Sequence, residues 1–122
     1  MAVKILLVED DPTISESLKA LLMAKGYVVV TAGDGSQAII DARKEKPELM
    51  LLDVILPKMG GLDVCQILKK DPETKEIKIV MITALGRMGD VESAFASGAD
   101  DYLIKPFESQ RLFKKIEKVL NG

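Results

Sequence analysis

Short runs of apolar residues recur along the chain, separated by longer stretches with helical periodicity. Most of these runs are continuously apolar, which is typical of parallel strands that are buried on both faces. Five runs predict five strands: Ile5–Val8, Val28–Val30, Leu49–Leu52, Ile79–Ile82 and Tyr102–Ile104.

The stretches between these runs have the spacing of amphipathic helices. In the first stretch, Asp11 is a candidate N-cap, Pro12 takes the first helical position, and Gly26 stands where a left-handed cap would end the helix. The predicted buried faces are Ile14, Leu18, Leu21 and Leu22 in the first helix, Val91, Ala94, Phe95 and Gly98 in a later one, and Leu112, Ile116, Val119 and Leu120 in the last.

Alternation of strand and helix over 122 residues predicts one α/β domain spanning residues 1–122. Right-handed crossovers would place helices on both faces of a five-stranded parallel sheet. The flavodoxin-like, doubly wound strand order 2-1-3-4-5 suits five strands better than the six-stranded Rossmann order. Such a sheet binds ligands at the carboxyl ends of its strands, where the order reverses between strands 1 and 3.

Polar side chains stand at the ends of four adjacent strands in this order. Glu9 and Asp10 follow strand 1, and Asp53 ends strand 3. Thr83 ends strand 4 and Lys105 ends strand 5. Because parallel strands bring their carboxyl ends to one edge of the sheet, we expect these side chains to lie close together.

The charges of this group favour a bound cation. Glu9, Asp10 and Asp53 are acidic, and Lys105 is the only base among the four. Like charges ~4 Å apart repel by about 4 kcal/mol at an effective dielectric near 20, so the group needs a divalent cation or raised pKa values. Oxygen ligands favour Mg²⁺, Mn²⁺ or Ca²⁺, and an open cleft with few carboxylates suits Mg²⁺.

A phosphate-like group would fit beside such a cation. Mg²⁺ and Lys105 can bind its oxygens, and Thr83 can donate a hydrogen bond. A carboxylate can itself be the nucleophile and form an aspartyl phosphate, for which Asp53 at the end of a central strand is the natural candidate. The chain has no histidine, which excludes histidine metal sites and Ser-His or Cys-His nucleophiles.

Four segments, in their order and spacing, resemble the receiver domains of two-component response regulators, and the chemotaxis-type single-domain regulators in particular. The segments are Val8–Pro12 (VEDDP), Leu52–Pro57 (LDVILP), Ile82–Ala84 (ITA) and Tyr102–Phe107 (YLIKPF). Each segment alone is a weak signal, but the four together are specific and span essentially the whole chain.

The resemblance implies a role for each residue of the metal site. Asp53 is the phosphoacceptor and a metal ligand, Asp10 is a direct Mg²⁺ ligand, and Glu9 acts through bound water. The backbone carbonyl of Ile55 completes the site, which Mn²⁺ could also occupy.

The resemblance also implies how phosphorylation changes the conformation of the domain. Thr83 and Lys105 contact the phosphoryl group, and the peptide bond before Pro106 is cis. On phosphorylation the Thr83 hydroxyl turns inward and the Tyr102 ring follows it. The surface of helix 4, strand 5 and helix 5 then changes its affinity for a downstream protein.

The sequence departs from the family pattern at three positions, of which two lie where they can affect dephosphorylation. Gly60 stands where many members have an acid, at a loop position outside the reaction. Ile55 and Leu85 each lie two residues beyond an active-site residue, where polar side chains can orient an attacking water. Because both are apolar, we predict slow self-dephosphorylation.

Composition and charge narrow the partners and the compartment. The chain is 48% hydrophobic and 30% charged with a net charge of −2, and it has no basic tract, so direct nucleic-acid binding is not expected. The apolar runs are too short to cross a bilayer, and no signal peptide is evident, which predicts a cytoplasmic protein. The lone Cys65 cannot form an internal disulfide and is interpreted as a small core residue.

The predicted function is a phosphorylation-driven switch, not a turnover enzyme. A sensor histidine kinase or histidine phosphotransfer protein would supply the phosphoryl group. One alternative is a phosphorylation-independent interaction module of the same fold. Another is a small Mg²⁺-dependent phosphatase, which usually needs a second acid near the nucleophile, and Asp53 is followed by Val54 and Ile55. Whether the domain acts alone or within a longer regulator stays open.

Overall fold

The computed structural model describes residues 2–84 and 88–122, and within these ranges five strands alternate with five helices. The strands are β1 (Lys4–Val8), β2 (Val28–Ala32), β3 (Leu49–Asp53), β4 (Lys78–Ala84) and β5 (Asp101–Lys105). The helices are α1 (Pro12–Ala24), α2 (Gly35–Glu45), α3 (Gly61–Lys70), α4 (Met88–Ala96) and α5 (Ser109–Asn121).

All strand pairs are parallel, and the order across the sheet is β2-β1-β3-β4-β5. The predicted flavodoxin-like, doubly wound α/β fold is therefore confirmed. Each strand extends one or two residues beyond its apolar run at one end or both, because backbone pairing continues past the apolar side chains. In this way Asp53 becomes part of the sheet, where it pairs with Ile82 of β4.

The core is divided by the sheet into two layers. Along β1, Leu6 and Val8 face one layer, whereas Ile5 and Leu7 face the other. Helices α2, α3 and α4 cover the first layer, and α1 and α5 cover the second. The alternation explains the continuous apolar runs, because successive side chains of a strand point to opposite faces and both faces are buried.

The predicted buried face of α1 is only half right. Leu18 and Leu22 are buried, but Ile14 and Leu21 are 39% and 40% exposed. Of the helices that the structure describes, α1 and α5 cover this side of the sheet, and α1 contacts the core along a single i, i+4 stripe. Ile14 instead borders the carboxyl edge of the sheet.

The predicted face of α4 also needs a correction. Ala94 is buried, but Phe95 is 49% exposed and lies edge-on to Tyr102, with ring centroids 5.7 Å apart. The helix ends at Ala96, so Gly98 lies beyond it and is not part of its buried face. Gly98 has a φ of +102°. In α5, by contrast, Leu112, Ile116 and Val119 are buried and Leu120 packs against them, as predicted.

The predicted start and end of α1 are confirmed. The Asp11 carboxylate accepts hydrogen bonds from the N–H groups of Thr13 and Ile14, and Gly26 has a φ of +96°. Cys65 is fully buried, as predicted. None of the helices in the described ranges is long and apolar enough to span a membrane.

Candidate functional site

The carboxyl ends of β1, β3, β4 and β5 surround one open cleft of about 320 Å³. We call it the acidic cleft, and its lining comprises Glu9, Asp10, Asp11, Ile14, Asp53, Val54, Ile55, Ala84 and Lys105. The fold therefore brings together the predicted acids and the predicted lysine. Thr83 does not line the cleft but is buried directly before Ala84.

Both carboxylate oxygens of Asp53 are held in place. Lys105 Nζ lies 2.8 Å from Asp53 Oδ2, and the N–H of Ile55 donates to Asp53 Oδ1 at 3.2 Å. Asp53 is only 8% exposed. The carboxylate is thus fixed at the end of a central strand, with water excluded from most of its surface.

Glu9 is buried beside this pair. Its Oε2 accepts a hydrogen bond from the N–H of Asp11 at 3.1 Å, and its Oε1 lies 3.6 Å from Lys105 Nζ. Burial raises the pKa of Glu9, the hydrogen bond from Asp11 opposes that rise, and the nearby Asp10 and Asp53 add to it. Burial is thus the main cause of the raised pKa, and the neighbouring acids strengthen it while Lys105 opposes it.

Lys105 is the counter-charge of the cleft. Partial burial alone would lower the pKa of Lys105, but its hydrogen bond and charge interaction with Asp53, together with the charge of Glu9, outweigh burial and raise it. The ammonium group therefore stays protonated at neutral pH, where it can donate to an oxygen in the cleft.

The donors of the acidic cleft fit a hard cation. Carboxylate oxygens are ligands that Mg²⁺ prefers, and Asp10 and Asp53 line the cleft beside Ile55. No three imidazole, thiol or carboxylate side chains of the described residues are gathered closely enough to hold a metal by themselves. Mg²⁺ keeps several waters and commonly binds only one or two protein carboxylates.

Thr83 places a buried hydroxyl at the carboxyl end of β4. It is 1% exposed, and its Oγ1 has no hydrogen-bond partner among the residues that the structure describes. An unpaired buried hydroxyl costs about 1–3 kcal/mol. A ligand oxygen reaching Thr83 from the cleft would remove that cost.

Tyr102 lies away from the acidic cleft. It is half-buried in β5 and paired with Met81, with the Phe95 ring nearly perpendicular to its own and Lys115 Nζ 5.2 Å from its ring centroid. The peptide bond between Lys105 and Pro106 is cis. Strand β5 therefore carries Lys105 at the acidic cleft and Tyr102 between α4 and α5. One short strand thus connects the cleft with the surface of these two helices.

Three features of the site were missed from the sequence. Ile14 borders the cleft, the N–H of Asp11 binds Glu9, and Gly61 lies so close to the Asp53 carbonyl oxygen that a Cβ there would come within 2.0 Å of it. The pair Gly60 and Gly61 at the start of α3 was the available signal for the last contact. Of the two apolar flanking positions, Ile55 is 58% exposed, and Leu85 lies outside the described residues.

Comparison with known proteins gives one consistent family. The model of the response regulator receiver domain matches residues 5–117. The DNA-binding response regulator MtrA of Mycolicibacterium smegmatis is 42% identical over 116 residues, which cover 95% of this chain and 50% of that protein. The chain thus spans about half the length of the curated relatives it matches.

Two solved structures are similar over their full length. A Chloroflexus aurantiacus protein described as a response regulator has a TM-score of 0.96 and 35% identity, with 100% of both chains covered. The receiver domain of the sensor histidine kinase PA1611 from Pseudomonas aeruginosa, described with a magnesium ion coordinated in its active-site cleft, has a TM-score of 0.92 and 30% identity, again with 100% of both chains covered.

The fold and the acidic cleft define a doubly wound α/β domain with its ligand site at the carboxyl ends of the strands. The chain belongs to the family of response regulator receiver domains of two-component signalling. Aspartate phosphorylation and Mg²⁺ binding are typical of this family, and its members interact with histidine kinases.

Proposed function

We propose that residues 1–122 form one receiver domain that accepts a phosphoryl group on Asp53 from the phosphohistidine of a sensor histidine kinase or a histidine phosphotransfer protein. The observation that carries this proposal is the Asp53 carboxylate, which is buried at the end of a central strand and held 2.8 Å from Lys105 Nζ. Glu9 and Asp10 share the same cleft.

The metal-binding residues follow from the donors of the cleft. Asp10, Asp53 and the Ile55 carbonyl would hold Mg²⁺, or Mn²⁺ in its place, and Glu9 would contribute through water. When bound, the ion supplies positive charge that offsets the carboxylates and the phosphoryl oxygens. This role accounts for a cleft in which acids outnumber the lysine.

The chain's own residues position the transfer. The phosphorus–nitrogen bond of phosphohistidine breaks as an Asp53 oxygen forms the new phosphorus–oxygen bond, and the imidazole nitrogen keeps the electron pair. Lys105, kept protonated by its acidic neighbours, donates to a phosphoryl oxygen. The burial of Asp53 fixes the direction of attack and limits access of water.

The signal then passes to a protein-binding surface. The phosphoryl group carries about −2 of charge in place of the single negative charge of the Asp53 carboxylate, and Thr83 Oγ1 is the buried donor available to meet it. Movement of Thr83 lets Tyr102 turn inward from its contact with Phe95. The surface formed by α4, β5 and α5 then shifts its population toward a state with altered affinity for a downstream protein.

In this proposal the domain is a signalling switch and not a turnover enzyme. The aspartyl phosphate on Asp53 is long-lived, because the exposed, apolar side chain of Ile55 cannot orient an attacking water. DNA binding is named for MtrA as a whole protein, and we propose protein partners for residues 1–122, without direct contact to nucleic acid or membrane. The proposed compartment is the cytoplasm, where histidine kinases present their phosphohistidine.

Phosphorylation with acetyl phosphate and Mg²⁺, read by intact-protein mass, tests the proposal. The wild type is expected to gain the mass of one phosphoryl group and Asp53→Asn to gain none. Asp63→Asn, which changes an acid at the start of α3, is the matched control and should behave like the wild type. Absence of the mass gain in the wild type would favour a phosphorylation-independent module, and turnover of phosphate esters would favour a phosphatase.

A further inference from the structure

The loop between β3 and α3, residues 54–60, forms one wall of the acidic cleft and carries the Ile55 carbonyl. On its outer side this loop rests on the start of α2. The N–H of Gly35 donates to the Pro57 carbonyl at 3.4 Å, and Lys58 Nζ lies 3.7 Å from Asp34 Oδ2. Helix α2 thus touches the loop without touching the cleft.

The contact at Gly35 leaves no room for any side chain. A Cβ added there would lie 2.0 Å from the Met59 carbonyl oxygen and 2.8 Å from its carbonyl carbon. Both are backbone atoms, so the clash cannot be relieved by a change of rotamer. A Cβ added at Gly33, in the same segment, would have no atom within 4 Å. Neither glycine has a positive φ, so the requirement at Gly35 is for space alone.

The loop is tied internally, so a shift at Met59 would reach Ile55. The N–H of Met59 donates to the Pro57 carbonyl at 2.7 Å, and the N–H of Gly61 donates to the Val54 carbonyl at 2.9 Å. Lys58 between them has a φ of +67°, a left-handed conformation that costs a non-glycine residue about 1–2 kcal/mol. A conformation of that cost persists only where surrounding contacts hold it, and the contact with α2 supplies them.

We infer that Gly35 is a positioning residue of the metal site: its close backbone approach to Met59 sets the path of residues 54–60 and thereby the place of the Ile55 carbonyl. The inference rests on the proposed function, because the metal-binding role of Ile55 belongs to that proposal. Residues that orient metal ligands without touching the metal commonly change metal affinity 10- to 100-fold when they are replaced.

Gly35→Ala and its control Gly33→Ala test the inference. In metal-free protein, two-dimensional amide NMR should show shifts concentrated at residues 53–61 for Gly35→Ala and none there for Gly33→Ala. In a titration with Mg²⁺ alone, Gly35→Ala should bind about 10- to 100-fold more weakly than the wild type. Gly33→Ala should bind like the wild type.

A second pair of variants keeps the test available if Gly35→Ala does not fold. In Met59→Gly the peptide after residue 59 is free to turn, so the double variant G35A/M59G can accommodate the added methyl group. The double variant should bind Mg²⁺ more weakly than Met59→Gly alone.

Equal affinity within either pair would overturn the inference. A wild type that binds no Mg²⁺ would instead refute the proposed function. Even then, the metal-free spectra would still decide whether Gly35 sets the loop, since unchanged amide signals in Gly35→Ala would refute it.

Discussion

Thr83→Val should make the unphosphorylated domain more stable. The Thr83 hydroxyl is 1% exposed and has no hydrogen-bond partner among the described residues. Valine has nearly the same shape without the polar group, so the substitution removes a desolvation cost of about 1–3 kcal/mol. For a domain of this size, each kcal/mol corresponds to roughly 3–5 °C in the midpoint of thermal unfolding.

Thr74→Val is the matched control for this prediction. Thr74 is also 1% exposed, but its Oγ1 donates to the Leu68 carbonyl at 2.7 Å. Its replacement leaves that carbonyl without this donor and should destabilise the domain by about 1–2 kcal/mol. Two threonines of equal burial are therefore expected to give changes of opposite sign.

Urea unfolding of the three proteins, without and with acetyl phosphate and Mg²⁺, measures both effects. Phosphorylation should stabilise the wild type more than Thr83→Val, by about 1.5–3 kcal/mol, because a hydrogen bond to a charged group is lost in the variant. If Thr83→Val lowers the free energy of unfolding as much as Thr74→Val does, the Thr83 hydroxyl is not unpaired and the reasoning is refuted. Equal stabilisation by phosphorylation would refute its role as a phosphoryl donor.

Three further predictions follow from burial and charge. Leu22→Ala should cost about 2–5 kcal/mol of unfolding free energy in urea, whereas Leu21→Ala, at 40% exposed, should cost under about 1 kcal/mol. Cys65 should react slowly with a thiol reagent, with a rate profile displaced to high pH until denaturant is added, because burial raises its pKa. Chelation of divalent metal should abolish phosphorylation by acetyl phosphate, and Mn²⁺ should restore it; persistence in chelator would contradict the metal site.

The fold was predictable because local and global signals agree. The fully apolar run Leu49–Leu52 is typical of a strand buried on both faces, and the βα alternation then leaves very few sheet orders. Each polar residue at a strand end consequently falls at one edge. The grouping of Glu9, Asp53 and Lys105 thus follows from topology, without any knowledge of their contacts.

The helical periodicity of apolar residues was less informative about how much of each helix is buried against the sheet. It could not show that α1 meets the sheet along one stripe, so Leu21 was wrongly placed in the core. Nor could it show that Phe95 lies half-exposed against the Tyr102 ring instead of in the core. The contact between Gly35 and Met59 was equally out of reach, because a close approach of two backbones leaves no pattern in the sequence except a glycine.

Several unfavourable arrangements among the described residues lie at or beside the acidic cleft. Glu9 and Asp53 are buried with one shared lysine, Thr83 has a buried hydroxyl without a described partner, and Lys58 is left-handed in the loop beside them. Elsewhere in the described chain, buried polar groups such as Thr74 and Asp101 have partners. A phosphoryl group with its cation would relieve the first two at once, since it brings oxygens for Thr83 and positive charge for the acids. The contacts that bind the ligand are therefore the same contacts that favour the second conformation. This is the physical basis for coupling the cleft to the surface of α4, β5 and α5.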